Sequence, residues 1–83
     1  MNPIIQEDGA GRPCILVDAH GEPVKQGQTV VHRDGTYTVT GGRAPKQPGS
    51  TGRVWVERGD EFGEYFPSVF GMSWTVIQPG FVI

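Results

Sequence analysis

The chain has 83 residues, enough for one domain with one small hydrophobic core, which excludes an enzyme built from two domains. Ten Val, five Ile and six Thr against one Leu and three Ala favour strands and exclude a helical bundle. The formal net charge of -2 excludes a strongly basic, nonspecific nucleic-acid binder.

The N-terminal third predicts an arm followed by a hairpin. Residues 1–12 are polar and punctuated by glycine, so we expect either a mobile arm or a weakly held edge strand there. Cys14 to Asp18 is a short β-prone run, and Ala19-His20-Gly21 turns the chain. Residues 13–83 are expected to form a single domain.

The single cysteine is typical of a protein from a reducing compartment. Cys14 cannot form an internal disulfide, and residues 1–12 lack the apolar run of a secretory signal. No apolar stretch approaches the ~20 residues needed to cross a bilayer. We therefore expect a cytoplasmic protein that does not enter membranes.

Next to Ile15, Cys14 is predicted to be a small buried hydrophobe rather than a thiolate activated by His20 or His32.

The clearest local signal is a hairpin over residues 28–40. Two β-branched runs flank Arg33-Asp34-Gly35, and Asp-Gly is a favoured hairpin turn. Alternation in the second run predicts that Tyr37 and Val39 face the core. The threonines at 36, 38 and 40 are expected on the opposite, solvated face.

The stretch from Gly41 to Gly52 predicts a long loop, because it contains four glycines, two prolines and almost no apolar residue. Loops of this length in compact domains are often functional. Further strands are predicted over about 53–57, 64–66 and 73–77, with a single helical turn over Pro67 to Gly71.

The order of these elements resembles an SH3-like or KOW-like barrel over Val24 to Ile77. The residues that carry the resemblance are Gly27-Gln28-Thr29-Val30-Val31, Asp34-Gly35-Thr36-Tyr37-Thr38-Val39 and Gly52-Arg53-Val54-Trp55-Val56. The resemblance implies an all-β fold, a small five-stranded barrel with an N-terminal hairpin or arm and one helical turn before the last strand. The segments GGRAPKQPGSTGRVWV and EYFPSVFGMSW also resemble small bacteriophage and prophage proteins.

The chain departs from both barrel families in ways that bear on function. It has no acidic-aromatic cluster before its first barrel strand, so recognition of proline-rich peptides is not implied. It is acidic overall, unlike ribosomal KOW proteins, so stable RNA binding is not implied either.

Charge is nevertheless concentrated where the long loop lies. Five basic residues and one acidic residue lie between Pro23 and Val56, which gives this segment a charge of +4, whereas the segments on either side each carry -3. Arg43, Lys46 and Arg53 lie among glycine and hydroxyl residues whose backbone N–H groups could cradle a phosphate. The alternative is a solvated connection whose glycines and prolines only set its shape.

Trp55 completes the candidate site. If Val54 and Val56 face the core, Trp55 points outward beside Arg53, where an indole can stack on a base or anchor a protein. The other large apolar residues of the C-terminal half are assigned to the core: Phe66, Val69, Phe70, Trp74 and Val76.

Other candidate chemistry has a simpler explanation. Asp18-x-His20 and His32-x-Asp34 could supply two His and two Asp ligands to a metal, but turns ordinarily carry such residues. The acidic residues between 57 and 64 are interpreted as a solvated turn. We therefore predict no catalytic residues, no metal and no cofactor.

The sequence thus predicts a non-enzymatic interaction module of a phage or prophage. The predicted partner is nucleic acid, bound by Arg43, Lys46, Arg53 and Trp55 through phosphate neutralisation and base stacking. Two alternatives remain open at this point: a protein-binding module, such as an inhibitor of a host protein, and a small virion structural component.

Overall fold

The computed structural model describes residues 2–33 and 35–80. They form seven strands and one short 3-10 helix, Pro67–Phe70. The strands are β1 (Ile5–Glu7), β2 (Pro13–Val17), β3 (Thr29–His32), β4 (Gly35–Arg43), β5 (Arg53–Arg58), β6 (Glu61–Tyr65) and β7 (Ser73–Val76). The prediction of an all-β fold with one helical turn before the last strand is confirmed.

The strands form two antiparallel sheets. One has the order β1-β2-β7 and the other is the meander β3-β4-β5-β6. The expected closed barrel of five strands is wrong, because no ladder within residues 2–33 and 35–80 joins one sheet to the other and the described strands number seven. Of the two structures considered for residues 1–12, the edge strand is observed: Ile5–Glu7 pairs with β2, and Ile4 is buried in the core.

The core lies between the two sheets and is made mainly of β-branched side chains. Residues of β2, β4 and β5 contribute the fully buried Leu16, Val39, Val54 and Val56. Alternation along β4 buries Tyr37 and Val39, as predicted. Removal of these side chains from water is the dominant favourable term in the folding of such a small domain.

An aromatic cluster extends the core toward one end of the meander. The Tyr37, Tyr65 and Phe70 rings meet edge to face, with ring centroids 5.6 to 6.2 Å apart. His32 packs against Phe70 in the same geometry. Edge-to-face pairs add stability beyond the area they bury, so this cluster stabilises the 3-10 helix on the sheet.

Several predicted boundaries and core assignments are corrected. Strand β4 continues to Arg43, three residues into the expected loop, and β6 begins at Glu61 rather than at residue 64. Phe66 was expected in the core but is 54% exposed, because Glu64 points outward, Tyr65 inward and the next residue outward again. Phe70 and Trp74 pack against the core, whereas Val69 and Val76 are half-buried.

Two glycines of the 44–52 loop differ in the space around them. Gly52 and Gly49 both have a positive φ, of 74° and 84°. A Cβ on Gly52 would lie 2.5 Å from the Arg43 carbonyl oxygen and 2.7 Å from Trp74 Cδ1, whereas a Cβ on Gly49 would meet no atom within 4 Å.

We expect Gly52→Ala to lower the free energy of unfolding by about 3 kcal/mol, and Gly49→Ala by only about 1 kcal/mol. Both variants place alanine in a left-handed backbone conformation, which costs free energy. Only Gly52→Ala also brings its Cβ into a steric clash with Arg43 and Trp74. Urea unfolding followed by Trp fluorescence measures both values. Equal losses in the two variants would show that the close packing at Gly52 contributes nothing.

Candidate functional site

Three of the four predicted site residues lie together on the outer face of the meander. Arg43 ends β4 and Arg53 begins β5, and the two are direct partners in the β4–β5 ladder. Trp55 lies two residues further along β5 and therefore on the same face as Arg53. The structure thus brings Arg43, Arg53 and Trp55 together.

Lys46 lies on the adjoining loop, where it lines a pocket of about 210 Å³ together with both arginines. Its Nζ donates a hydrogen bond of 2.6 Å to the carbonyl oxygen of Glu7 in β1. The backbone N–H of Gly9 also donates to the Pro45 carbonyl oxygen at 3.0 Å. The loop is therefore bonded to the N-terminal segment through Pro45 and Lys46.

The backbone N–H groups expected to cradle a phosphate are partly engaged within the loop. Ser50 N–H donates to the Gln47 carbonyl oxygen at 3.1 Å, and Gly52 N–H donates to Ser50 Oγ at 3.3 Å. These bonds shape the loop as a turn. The arrangement agrees with the alternative interpretation, in which glycines and prolines set the conformation of a connection.

Trp55 points outward, as predicted from the burial of Val54 and Val56. It is 41% exposed, and its Nε1–H donates a hydrogen bond of 2.7 Å to Glu64 Oε2. Its ring lies against Gly41, where a Cβ would come within 3.2 Å of Trp55 Cε3. The indole is therefore held in one orientation by a hydrogen bond and by close packing.

Glu64 is a central residue of this surface that sequence reasoning missed. It is the direct partner of Trp55 in the β5–β6 ladder, and its Oε1 lies 3.8 Å from Arg43 Nη2. Glu64 was expected to begin a strand and to belong to a solvated acidic turn, with no partner on the sheet. Its carboxylate neutralises part of the positive charge that the predicted phosphate site requires.

Arg53 has intramolecular partners as well. Its Nη1 donates a hydrogen bond of 2.7 Å to the Gly52 carbonyl oxygen. Its Cζ lies 4.3 Å from the centroid of the Phe66 ring, within the range of a cation–π interaction. Phe66 is thereby partly covered, although its chain position leaves it on the surface.

Phe62 is the most exposed aromatic side chain in the described part of the molecule, at 78%. It lies opposite Glu57, two ladder positions from the Trp55–Glu64 pair and on the same face of the sheet. A shallow pocket of about 350 Å³ lies beside it, lined by Thr40, Trp55, Val56, Phe62, Gly63 and Glu64. Period-two alternation extended backward from Glu64 would have identified Phe62 as outward-facing.

The remaining candidate residues adopt ordinary structural roles. Asp18 Oδ1 accepts the backbone N–H groups of His20 and Glu22, at 2.8 and 3.0 Å, which is turn chemistry. Burial raises the pKa of the Cys14 thiol and disfavours the reactive thiolate. Asp34, the fourth candidate metal ligand, lies outside the described residues.

No family model, curated protein or solved structure matches the chain. Within residues 2–33 and 35–80, no three His, Cys, Asp or Glu side chains are grouped to hold a metal ion. No helix in this part of the chain is long and apolar enough to span a membrane.

Asp8 stabilises the turn between β1 and β2, which contacts the 44–52 loop. Its Oδ1 accepts the backbone N–H groups of Ala10 and Arg12, each at 2.9 Å, and its Oδ2 pairs with the Arg12 guanidinium. The pKa of Asp8 is lowered from 3.8, chiefly by the bond from the Arg12 backbone N–H. Because the folded state favours the carboxylate, Asp8 contributes stability above pH 3.8 that is lost as the pH falls through its lowered pKa.

We expect Asp8→Asn to unfold at lower urea concentration than the wild type at pH 7, because Asn keeps an acceptor but loses the charge. The two midpoints should converge once the pH falls below the lowered pKa, where Asp8 is protonated. Asp60→Asn, in the exposed β5–β6 turn, makes the same charge change as a control. A gap between Asp8→Asn and wild type that stayed constant down to pH 2 would contradict this role.

Proposed function

We propose that this protein is a non-catalytic binding module that engages another protein through the outer face of its meander. We call this surface the Trp55 face and define it by Arg43, Arg53, Trp55, Phe62, Glu64 and Phe66. The proposal follows the first of the two alternatives to nucleic-acid binding that the sequence left open, with the Trp55 face as the contact surface.

The observation that carries the proposal is the adjacency of two exposed aromatic rings on a well-ordered sheet. Trp55 and Phe62 lie on neighbouring strands, and the Trp55 indole is already held in place by Glu64 and Gly41. Protein interfaces concentrate their binding energy in such aromatic anchors, surrounded by a polar rim. Because the indole is fixed before binding, little conformational entropy is lost when a partner covers it.

Charge on the Trp55 face also favours a protein over a nucleic acid. Arg43 and Glu64 lie 3.8 Å apart, and Glu57 lies directly opposite Phe62 in the ladder. A phosphate backbone crossing the two aromatic rings would meet both carboxylates. A protein surface with charges of both signs meets no such penalty.

Nucleic acid remains the second candidate, supported by one specific observation. Arg43 and Arg53 are cross-strand partners beside an exposed indole, which is the combination of charge and stacking that single strands use. Its weakness is Lys46, the third predicted phosphate contact, which binds the Glu7 carbonyl oxygen instead.

The order of elements supports an SH3-like relationship as part of this proposal. A meander, a 3-10 helix and a last strand follow one another in the order that the resemblance implies. Proteins with SH3-like folds serve many unrelated functions, so the resemblance bears on the scaffold and does not identify a partner. The bacteriophage resemblance makes bacterial proteins the first class of partner to test.

We expect Phe62→Ser to abolish capture of a partner from a bacterial lysate treated with nuclease at high salt, and to weaken the purified complex at least about tenfold. The matched control is Ile5→Ser, since Ile5 is 40% exposed but lies in the other sheet. Affinity capture followed by titration of the identified protein measures both effects.

Two results would contradict the proposal. A partner lost equally in Ile5→Ser and Phe62→Ser would show that the Trp55 face is not the contact surface. Capture that disappears with nuclease, together with quenching of Trp fluorescence by single-stranded DNA that weakens steeply with salt, would favour the nucleic-acid function.

A further inference from the structure

The pocket between Trp55 and Phe62 combines aromatic rings with a carboxylate. Two aromatic rings and the Glu64 carboxylate line a space of about 350 Å³ that is open to solvent. Aromatic ring faces attract cations, and a carboxylate beside them adds a direct charge pair. A pocket with this lining therefore selects a positively charged side chain over a neutral or negative one.

We propose that this pocket receives an arginine side chain of the protein partner. The inference rests on the proposed function, because it assigns the residue type that the Trp55 face recognises. The guanidinium would stack against the aromatic rings and donate hydrogen bonds to Glu64. Arginine suits this arrangement better than lysine, because its planar group can stack and form paired hydrogen bonds at the same time.

Glu64 has an oxygen available for such a ligand. Its Oε2 accepts the Trp55 indole N–H at 2.7 Å. Its Oε1 lies 3.8 Å from Arg43 Nη2, which is beyond hydrogen-bond distance. An incoming guanidinium can therefore bind Oε1 without displacing the indole.

The protein's own arginines already use the same chemistry beside the pocket. Arg53 stacks over Phe66 with its Cζ 4.3 Å from the ring centroid, and Arg43 lies near the Glu64 carboxylate. The surface thus stabilises guanidinium groups on a ring and beside a carboxylate within one or two ladder steps of the proposed site.

The β5–β6 hairpin that forms one side of the pocket has an acidic balance of charge. From residue 57 to residue 65 the chain contains four acidic side chains and one basic side chain. The acidic ones are Glu57, Asp60, Glu61 and Glu64. A segment carrying arginine would approach this hairpin favourably, whereas a phosphate chain would be repelled.

The test follows the Trp55 indole N–H signal of the full chain by two-dimensional NMR, assigned with Trp55→Phe. The probes are a hexa-arginine peptide and a hexa-citrulline peptide, which keeps the shape of arginine but lacks its charge. We expect hexa-arginine to shift the Trp55 signal in a saturable way and hexa-citrulline to leave it unchanged.

Two variants of the pocket and one control variant test where hexa-arginine binds. Glu64→Gln keeps an acceptor for the indole but removes the charge, and it should weaken hexa-arginine binding at least about fivefold. Phe62→Leu keeps apolar bulk but removes the ring, and it should weaken binding as well. Glu61→Gln changes the net charge equally on the opposite phase of β6, and it should bind within about twofold of wild type.

The possible results separate this inference from the proposed function. Equal shifts with hexa-citrulline, or equal losses in Glu61→Gln and Glu64→Gln, would overturn the arginine pocket while leaving Phe62-dependent protein capture intact. A shift caused by oligothymidine and not by hexa-arginine would overturn both. Loss of capture in Phe62→Ser together with hexa-arginine binding would support both.

Discussion

The close approach of β4 to two tryptophan rings is the constraint on which much of this fold depends. Gly41 and Gly42 lie next to each other in β4, and because strand side chains alternate, they open space on opposite faces. Trp55 packs over Gly41 on the outer face, and Trp74 packs over Gly42 on the core face. Trp74 comes from the other sheet, and its Nε1–H donates to the Arg53 carbonyl oxygen at 3.2 Å. A Cβ at Gly42 would lie 2.6 Å from the Arg53 carbonyl oxygen and 2.7 Å from Trp74 Cζ2, so any side chain there would disturb both β5 and the packing of Trp74.

Gly41 and Gly42 lie on opposite faces of the meander, one on the proposed binding surface and the other on the core. The core face of the meander contains the buried valines and the Tyr37 cluster, which supply most of the apolar burial that a small domain needs. The outer face contains Trp55 and Phe62, which contribute little to the core and remain available to a partner. Because the two faces share a backbone but no side chains, the Trp55 face can change its chemistry while the core is preserved.

The composition of the 44–52 loop predicts a phosphate site, whereas its contacts in the folded chain join it to the N-terminal segment. Its glycines, prolines and basic residues suit a phosphate cradle when considered in isolation. In the folded chain Lys46 bonds to Glu7, and the Gly9 N–H bonds to Pro45. The loop is thereby tied to the N-terminal segment, and the exposed aromatic residues lie on the sheet beside it.

The sequence by itself determined the class of the fold and most of its strands. Alternation at Tyr37 and Val39, the β-branched composition and the Pro67 turn act locally, so they could be recognised without a structure. The outward direction of Trp55 followed from its two valine neighbours for the same reason. Only the tertiary structure decided that Glu64 meets Trp55, that Phe62 joins them, that Lys46 is drawn to the N-terminal strand, and that the sheets remain two rather than one barrel. These outcomes depend on ladder register and on contacts between residues distant in sequence, and neither leaves a signal in the local pattern of a single chain.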